Sequence, residues 1–258
     1  MTDETSHQPE LNVVTGAFGY TGKYITRLLL ANGARVKTLT GHPGLANPFG
    51  SQVVAAPFNF EDPPALIDEL SGASTLYNTY WVRFARGEVT FDRAVENTKT
   101  LIRAAREAGV GRIVHISITN PSVDSSLPYF KGKAQVEEAV IASGVSYAIV
   151  RPTVIFGLED ILINNIAWLL RRFPLFVLPG QGSYRLQPIF VEDLAEIAVN
   201  AGGDKDNLVL DAAGPEVYTF DGFVRLVGQT MGSKSRIIHL PPSLALRLSK
   251  IVGYFLGV

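Results

Sequence analysis

The sequence predicts an α/β protein built on a doubly wound parallel sheet, followed by a smaller C-terminal region. Three observations predict it. Short apolar runs alternate with segments of helical spacing from Leu11 to Arg151. Three glycines, Gly16, Gly19 and Gly22, stand where the first apolar run gives way to the first helical segment. The chain of 258 residues is 47% hydrophobic and 18% charged, which supports a large core and argues against disorder.

In chain order, Leu11–Thr15 reads as a strand and Tyr20–Ala31 as a helix. Arg35–Leu39 and Gln52–Pro57 are the second and third strands, Pro63–Leu70 a short helix and Ser74–Asn78 the fourth strand. The long helix Phe91–Ala108 is ended by Gly109 and Gly111. Arg112–Ser117 is the fifth strand, Phe130–Ala142 a helix ended by Gly144, and Tyr147–Arg151 the sixth strand. Such alternation needs a parallel sheet covered on both faces, with right-handed crossovers and ligands at the carboxyl ends of the strands. After "RPTVIFG" the pattern loosens. Asp160–Arg172 reads as a helix, "RLQPIFVEDLAEIAVNA" as a strand feeding a helix, and Leu208–Ala212 as a strand. From Thr219 a helix, a short strand and a further helix follow. The expected division is a nucleotide-binding domain over 1–155 and a C-terminal region over 156–258. That region returns partly to the sheet at about 185–212 and partly serves substrate.

The net charge of -1 gives no electrostatic reason to expect nucleic acid or an anionic membrane. Without cysteine there are no disulfides, thiolate metal sites or cysteine nucleophile. His7, His42, His115 and His239 lack metal-ligand spacing, so no metal is expected. The opening "MTDETSHQPE" reads as a frayed terminus without the features of a secretory signal, which predicts a cytoplasmic protein. No uncharged apolar run reaches the length of about 18 residues of a membrane span. The tail "PPSLALRLSKIVGYFLGV" has amphipathic helical spacing at Leu244, Leu248, Ile251, Val252 and Phe255, suited to packing on its own domain or to contacting a partner or a membrane surface.

A glycine-rich turn between a strand and a helix is the context of dinucleotide binding. Glycine adopts the turn's dihedrals cheaply, and the missing Cβ lets a pyrophosphate approach the backbone. The helix amides and the positive end of the dipole then stabilise its charge. Phe18, Tyr20 and Thr21 within the turn complete the expected contacts, and Asn78 at the end of the fourth strand adds to them. NAD-preferring sites place Asp or Glu at the end of the second strand. No carboxylate occurs from Arg35 to Pro43, which favours NADP over NAD, and Thr40 and His42 are the side chains that could meet a 2′-phosphate.

The spacing G-x-x-G-x-x-G after Thr15 resembles the short-chain dehydrogenase/reductase superfamily, whose cofactor loop is marked by TGxxGxxG. The resemblance spans nearly the whole chain and is closest to extended and atypical members. These include epimerase/dehydratase-like and NmrA-like proteins and the nucleotide-binding accessory subunit of respiratory complex I. It implies that Asn59 and Phe60 flank adenine; Glu61 and Asp62 serve there or cap the next helix. It also implies that Tyr129, in "PYFKGK", is the acid/base and that Lys133 lowers its pKa and binds the nicotinamide ribose. The alternative is a tyrosine packed on the loop and a lysine in solvent. By alignment Ile118 takes the place of the usual hydroxyl, leaving Ser117 or Thr119 to donate to a substrate carbonyl. Asn97, "RPTVIFG" with Phe156 for the usual tyrosine, and "QPIFVEDLA" match the extended members. Arg83 and Arg86, beside Tyr80, Trp81 and Phe84, could hold an anionic group, and Arg185 could touch substrate or make an ion pair. The implied function is NAD(P)-dependent hydride transfer to or from a carbonyl or sugar carbon of a small molecule. The alternative is a nucleotide-binding sensor or accessory subunit with little turnover, since the family hosts both.

Overall fold

The computed structural model describes residues 9–44, 46–82, 85, 87 and 89–244. The expectations for the first residues, for Arg83, Phe84 and Arg86, and for the tail beyond Leu244 lie outside the described residues. Two compact units form, one from residues 1–153 with 191–212, the other from 154–190 with 213–258.

The first unit is a seven-stranded parallel sheet. Its elements open with β1 (Leu11–Thr15), α1 (Tyr20–Ala31), β2 (Arg35–Thr40), β3 (Val53–Pro57), α2 (Pro63–Leu70) and β4 (Ala73–Asn78). They continue with α3 (Phe91–Glu107), β5 (Arg112–Ile116), α4 (Pro128–Ala142) and β6 (Ser146–Pro152). α4 starts two residues earlier than the sequence pattern suggests because Pro128 fits the first turn, where its missing N–H has no partner to lose. After the second unit's first segment the chain returns as α6 (Val191–Gly203) and the last strand of this sheet (Leu208–Ala212), so the return begins at Val191 rather than near 185. That strand pairs in parallel with β6, from Leu208 beside Ala148 to Ala212 beside Pro152. The buried Arg112 guanidinium holds the return in place by donating to the carbonyls of Ala201 and Asp206, both at 2.8 Å.

In space the strands run β3-β2-β1-β4-β5-β6 and then the returning strand. The order reverses between β1 and β4, which opens a crevice at their carboxyl ends. One face of the sheet packs its core of Val13, Leu39, Leu76, Ile113 and Ile149 against Leu66 and Leu70 of α2, Leu101 of α3 and Val136 and Val140 of α4.

The second unit holds β7 (Ile155–Phe156), α5 (Leu162–Arg172), β8 (Leu175–Pro179), β9 (Arg185–Leu186) and β10 (Ile189–Phe190). With the returning strand of the first unit counted as β11, it continues with β12 (Tyr218–Thr219), α7 (Phe220–Thr230) and β13 (Arg236–Leu240). Its strands form three two-stranded sheets, β7 with β10, β8 with β13 and β9 with β12. The single strand expected before α6 is therefore two pieces with different partners, separated at Gln187–Pro188, where proline has no N–H for a ladder. Likewise Asp160 stays outside α5, one residue before its N-cap Ile161, and its carboxylate accepts from the Ile163 amide in the first turn (2.8 Å). Ile166 and Leu170 of α5 pack with Phe176, Leu178, Phe223 and Val224 in this unit's own core.

Candidate functional site

The turn from β1 into α1 is built to leave its backbone bare. Gly16 has φ +67°, a left-handed conformation that favours glycine, and its N–H donates to the Leu39 carbonyl (2.8 Å). The Ala17 amide donates to the Thr38 hydroxyl (3.0 Å), which donates to the Val14 carbonyl (2.8 Å), so the turn is pinned from β2. A Cβ on Gly22 would stand 2.3 Å from the Gly16 oxygen, and one on Gly19 would stand 3.2 Å from it. Gly19 is the exposed N-cap of α1, without a side-chain cap, and the first turn has no acidic residue. The positive helix end is thus not neutralised by the chain's own side chains, and this cradle fits a diphosphate. Phe18, Tyr20 and Thr21 are partly exposed along it.

At the reversal point Thr15 links β1 to β4. Its hydroxyl lies 3.2 Å from Asn78 Oδ1 and accepts from the amides of Thr79 (2.7 Å) and Tyr80 (2.9 Å). Asn78 is fully buried; its Oδ1 also accepts from the Tyr80 amide, and its Nδ2 faces His115 Nδ1 at 3.1 Å. Both ends of this amide are thereby engaged within the protein, joining β1, β4 and β5.

Beyond β2, Thr40 is nearly buried and accepts from the backbone N–H of the exposed His42 (3.2 Å), while a Cβ on Gly41 would meet nothing. Asn59 takes φ +46°, and Phe60 stacks on Phe58 at 4.8 Å and leans on Tyr80 at 5.1 Å. Tyr80 in turn accepts from Asn97 Nδ2 (2.9 Å), which fixes α3 against this aromatic group. Asp62 caps α2 through the Ala65 amide, and Glu61 pairs with Arg93 in solvent.

At the end of β5, Tyr129 and Lys133 lie on the first turns of α4. The Tyr129 ring is partly buried, edge-on to Trp81 (5.9 Å) and Phe91 (5.6 Å). Lys133 is 3% exposed; its Nζ donates to the Ile116 carbonyl (2.9 Å) and lies 4.7 Å from the centre of the Trp81 ring. Burial pulls its pKa down to about 7, with the charge of Glu137 opposing the shift. The Ser117 hydroxyl donates to Glu137, which also receives the Arg151 guanidinium through both carboxylate oxygens. That hydrogen-bonded pairing raises the Arg151 pKa. Thr119 is partly exposed, its amide bound to the Pro152 carbonyl (3.0 Å), and Ile118 beside it is also partly exposed. His115 is wholly buried, and burial followed by the charge of Lys133 holds its pKa well below the ordinary range. In the second unit, Phe156 packs on Phe190 at 5.4 Å, and Arg185 is exposed on β9.

Residues 16–159 match the family described as NAD(P)H-binding, more than half of the chain. The chain belongs to the NAD(P)H-binding family. As an NAD(P)H-binding protein of the atypical short-chain dehydrogenase/reductase type, it takes a nicotinamide dinucleotide as cofactor. Among curated proteins it is 25% identical over 244 residues to the Arabidopsis thaliana mitochondrial NADH dehydrogenase [ubiquinone] 1 alpha subcomplex subunit 9, covering 90% of this chain and 60% of that one. It is 28% identical to the Mus musculus subunit of the same name, covering 95% of this chain and 66% of that one. It spans only 23% of an uncharacterized Mycobacterium bovis protein to which it is 28% identical over 84% of its own length. Among solved structures it superposes on a UDP-N-acetylglucosamine 4-epimerase from Bacillus cereus with TM-score 0.75 at 18% identity, covering 90% and 85% of the two chains. A dTDP-glucose 4,6-dehydratase from Streptomyces venezuelae with NAD bound gives 0.73 at 22%, covering 88% and 84%. These likenesses establish the fold.

Of the residues that the sequence pattern brought out, Ser117 and Thr119 follow β5, Lys133 reaches the Ile116 carbonyl at its end, and Tyr129 packs on Trp81 and Phe91. Glu137 was not apparent. Its spacing of four from Lys133 places both on one face of α4 and is the signal that could have found it. Its carboxylate engages two partners whose side chains come from other elements, Ser117 and Arg151.

Proposed function

We propose that this chain binds NADP(H) and keeps it bound with slow turnover or none, as a sensor or accessory subunit does. The observation that carries this is the arrangement at the end of β5. The Lys133 ammonium is anchored to the Ile116 carbonyl beneath Trp81, and the Ser117 hydroxyl is turned to Glu137, so neither is offered to a substrate oxygen. Ile118, at the position where extended relatives carry a hydroxyl, has nothing to donate. A lysine with a pKa near 7 is also only partly charged at neutral pH and is a weak electrostatic partner for a tyrosinate. The relatives named as NADH dehydrogenase subunits support a role within an assembly. NADP is favoured over NAD because the end of β2 presents Thr40, Gly41 and His42 with no carboxylate to repel a 2′-phosphate.

The one-turn spacing of Tyr129 and Lys133, with Tyr129 partly exposed, favours a second function, reduction of a small carbonyl compound. The nicotinamide supplies hydride when bound. The chain's part is for Tyr129 to exchange a proton with the carbonyl oxygen and for Thr119 to donate to it.

Fluorescence titration with NADPH and NADH, followed by single-turnover oxidation of bound NADPH over a panel of carbonyls and nucleotide sugars, separates the two. Binding of NADPH with oxidation no faster than in Tyr129→Phe supports the binding role. Oxidation that Tyr129→Phe abolishes makes the chain a reductase, and failure to bind either nucleotide removes both.

A further inference from the structure

The crevice between β1 and β4 has two unlike sides. A dinucleotide whose diphosphate meets the β1–α1 turn lays its adenosine half toward the end of β2 and its nicotinamide half toward the ends of β4 and β5. On the β2 side the chain leaves room. The first turn of α1 carries no acidic side chain, a Cβ on Gly41 would meet nothing, and His42 is exposed. On the other side, Asn78, Ser117 and Lys133 are each 5% exposed or less. All three are engaged within the protein, Asn78 with Thr15 and His115, Ser117 with Glu137 and Lys133 with the Ile116 carbonyl.

Trp81, three residues beyond β4, covers Lys133 on this side. Its ring stands 4.7 Å over Lys133 Nζ. It lies near-parallel to Phe91 of α3, 17° between planes at 6.2 Å, and edge-on to Tyr129 of α4 at 5.9 Å. Its benzene edge rests on Gly132, where a Cβ would come within 2.9 Å of Cη2. Phe91, Tyr129, Lys133 and the bare backbone of Gly132 thus form a socket that admits the ring. The indole N–H tells how firmly the ring is kept there. Nε1 is buried and finds no acceptor among the described residues. Buried N–H groups are ordinarily paired, and an unpaired one is a standing cost to the arrangement that holds it. The ring is therefore held by packing and by the lysine, not by a hydrogen bond, and its N–H gains a partner when it swings toward solvent.

We propose that Trp81 is the specificity-determining residue of this crevice: seated in its socket, it takes the space of the nicotinamide half, so the chain recognises its ligand through the adenosine half and the diphosphate. The proposal rests on the NADP(H)-binding reading above and deepens it by naming the part of the ligand that is read. With the nicotinamide half left outside, Tyr129 and Lys133 stay covered, and slow or absent turnover follows from exclusion. It also follows that oxidised and reduced coenzyme bind alike, and that an adenosine diphosphoribose without nicotinamide binds as well as either.

Calorimetric titration of the full chain compares NADPH with 2′-phospho-ADP-ribose, and NADH with ADP-ribose, each pair differing by the nicotinamide. The parent is expected to bind both members of a pair with Kd values within about threefold, and Trp81→Ala to favour the complete coenzyme about tenfold or more. Reductive methylation of Lys133 is expected to speed up in Trp81→Ala and to be slowed again by the complete coenzyme but not by its truncated partner. Melting temperature and affinity for the truncated ligand report whether the variant still folds. Trp81→Leu, which keeps an apolar filling, makes the same comparison where the alanine variant does not fold. A parent that prefers the complete coenzyme by more than about threefold overturns the proposal and leaves NADP(H) binding intact. So does a folded variant with the parent's ratio, or equal protection of Lys133 by the two ligands in that variant. Binding of none of the four ligands overturns the NADP(H)-binding reading and the proposal with it.

Discussion

Gly19 and Gly22 are both required in the turn for different reasons, and their alanine variants separate the two. On Gly22 a methyl group would press on the Gly16 oxygen at 2.3 Å, a backbone atom that cannot swing aside. Gly22→Ala is expected to lower stability by about 1–3 kcal/mol, as overpacking does, and to abolish NADPH binding. On the exposed Gly19 the clash is milder, 3.2 Å, so the fold should hold while the methyl blocks the diphosphate. Gly19→Ala is expected to melt close to the parent and bind NADPH at least about tenfold more weakly. NADPH affinity equal to the parent's in both variants would mean that the dinucleotide does not use this turn. Lys133 makes a prediction of opposite kind. Its pKa falls from 10.5 to about 7 on folding, so between those values the unfolded chain binds a proton that the folded chain does not. The group therefore destabilises the fold below about pH 7, and the penalty is relieved as pH rises toward 10.5. Melting temperatures from pH 6 to pH 9.5 should rise more for the parent than for Lys133→Met, which should gain relative stability at the acid end. Parallel curves would show that the lysine is solvated.

Among the elements, α3 and α4 show what spacing alone conveys. Helical periodicity and terminal glycines located both helices to within two residues, because those signals are local. How closely the helices approach was not legible, because it depends on one small residue. Gly132 on α4 lets the Trp81 ring lie against it; a Cβ there would stand 2.9 Å from Trp81 Cη2 and 3.2 Å from a Val95 methyl on α3. Gly132→Ala should push the indole off Lys133. The expected readouts are a change in tryptophan emission, faster reductive methylation of Lys133 and a stability loss of about 1–2 kcal/mol. Unchanged Lys133 reactivity would show that Trp81 does not cover it. The late strand failed for a related reason. Apolar residues flank Gln187–Pro188, but a ladder needs an N–H at each step and two short pieces found separate partners.

The whole molecule depends on a chain that leaves its sheet and returns. β11 covers the outer edge of β6, and α6 packs on α1, so the first unit is not completed by residue 153. A chain ended at Thr153 should expose the β6 edge and the apolar side of α1, and collect in the insoluble fraction. If that fragment were monomeric in gel filtration and bound NADPH, the returning segment would be dispensable. The same excursion gathers basic and apolar residues into the second unit. A net charge summed over the chain averages that segregation away.

Strand and helix alternation, the glycine turn, the empty acidic position after β2 and the Tyr129–Lys133 pair were all fixed by residue type and short spacing. Each is a local property, and neighbours in sequence decide it. Only the tertiary structure decided that Asn78 would be enclosed between three strands, that Lys133 would lie under Trp81, and that Ser117 and Arg151 would meet on Glu137. Those contacts join residues from separate strands, loops and helices, and the crossovers of the sheet bring them together in ways a one-dimensional pattern cannot express.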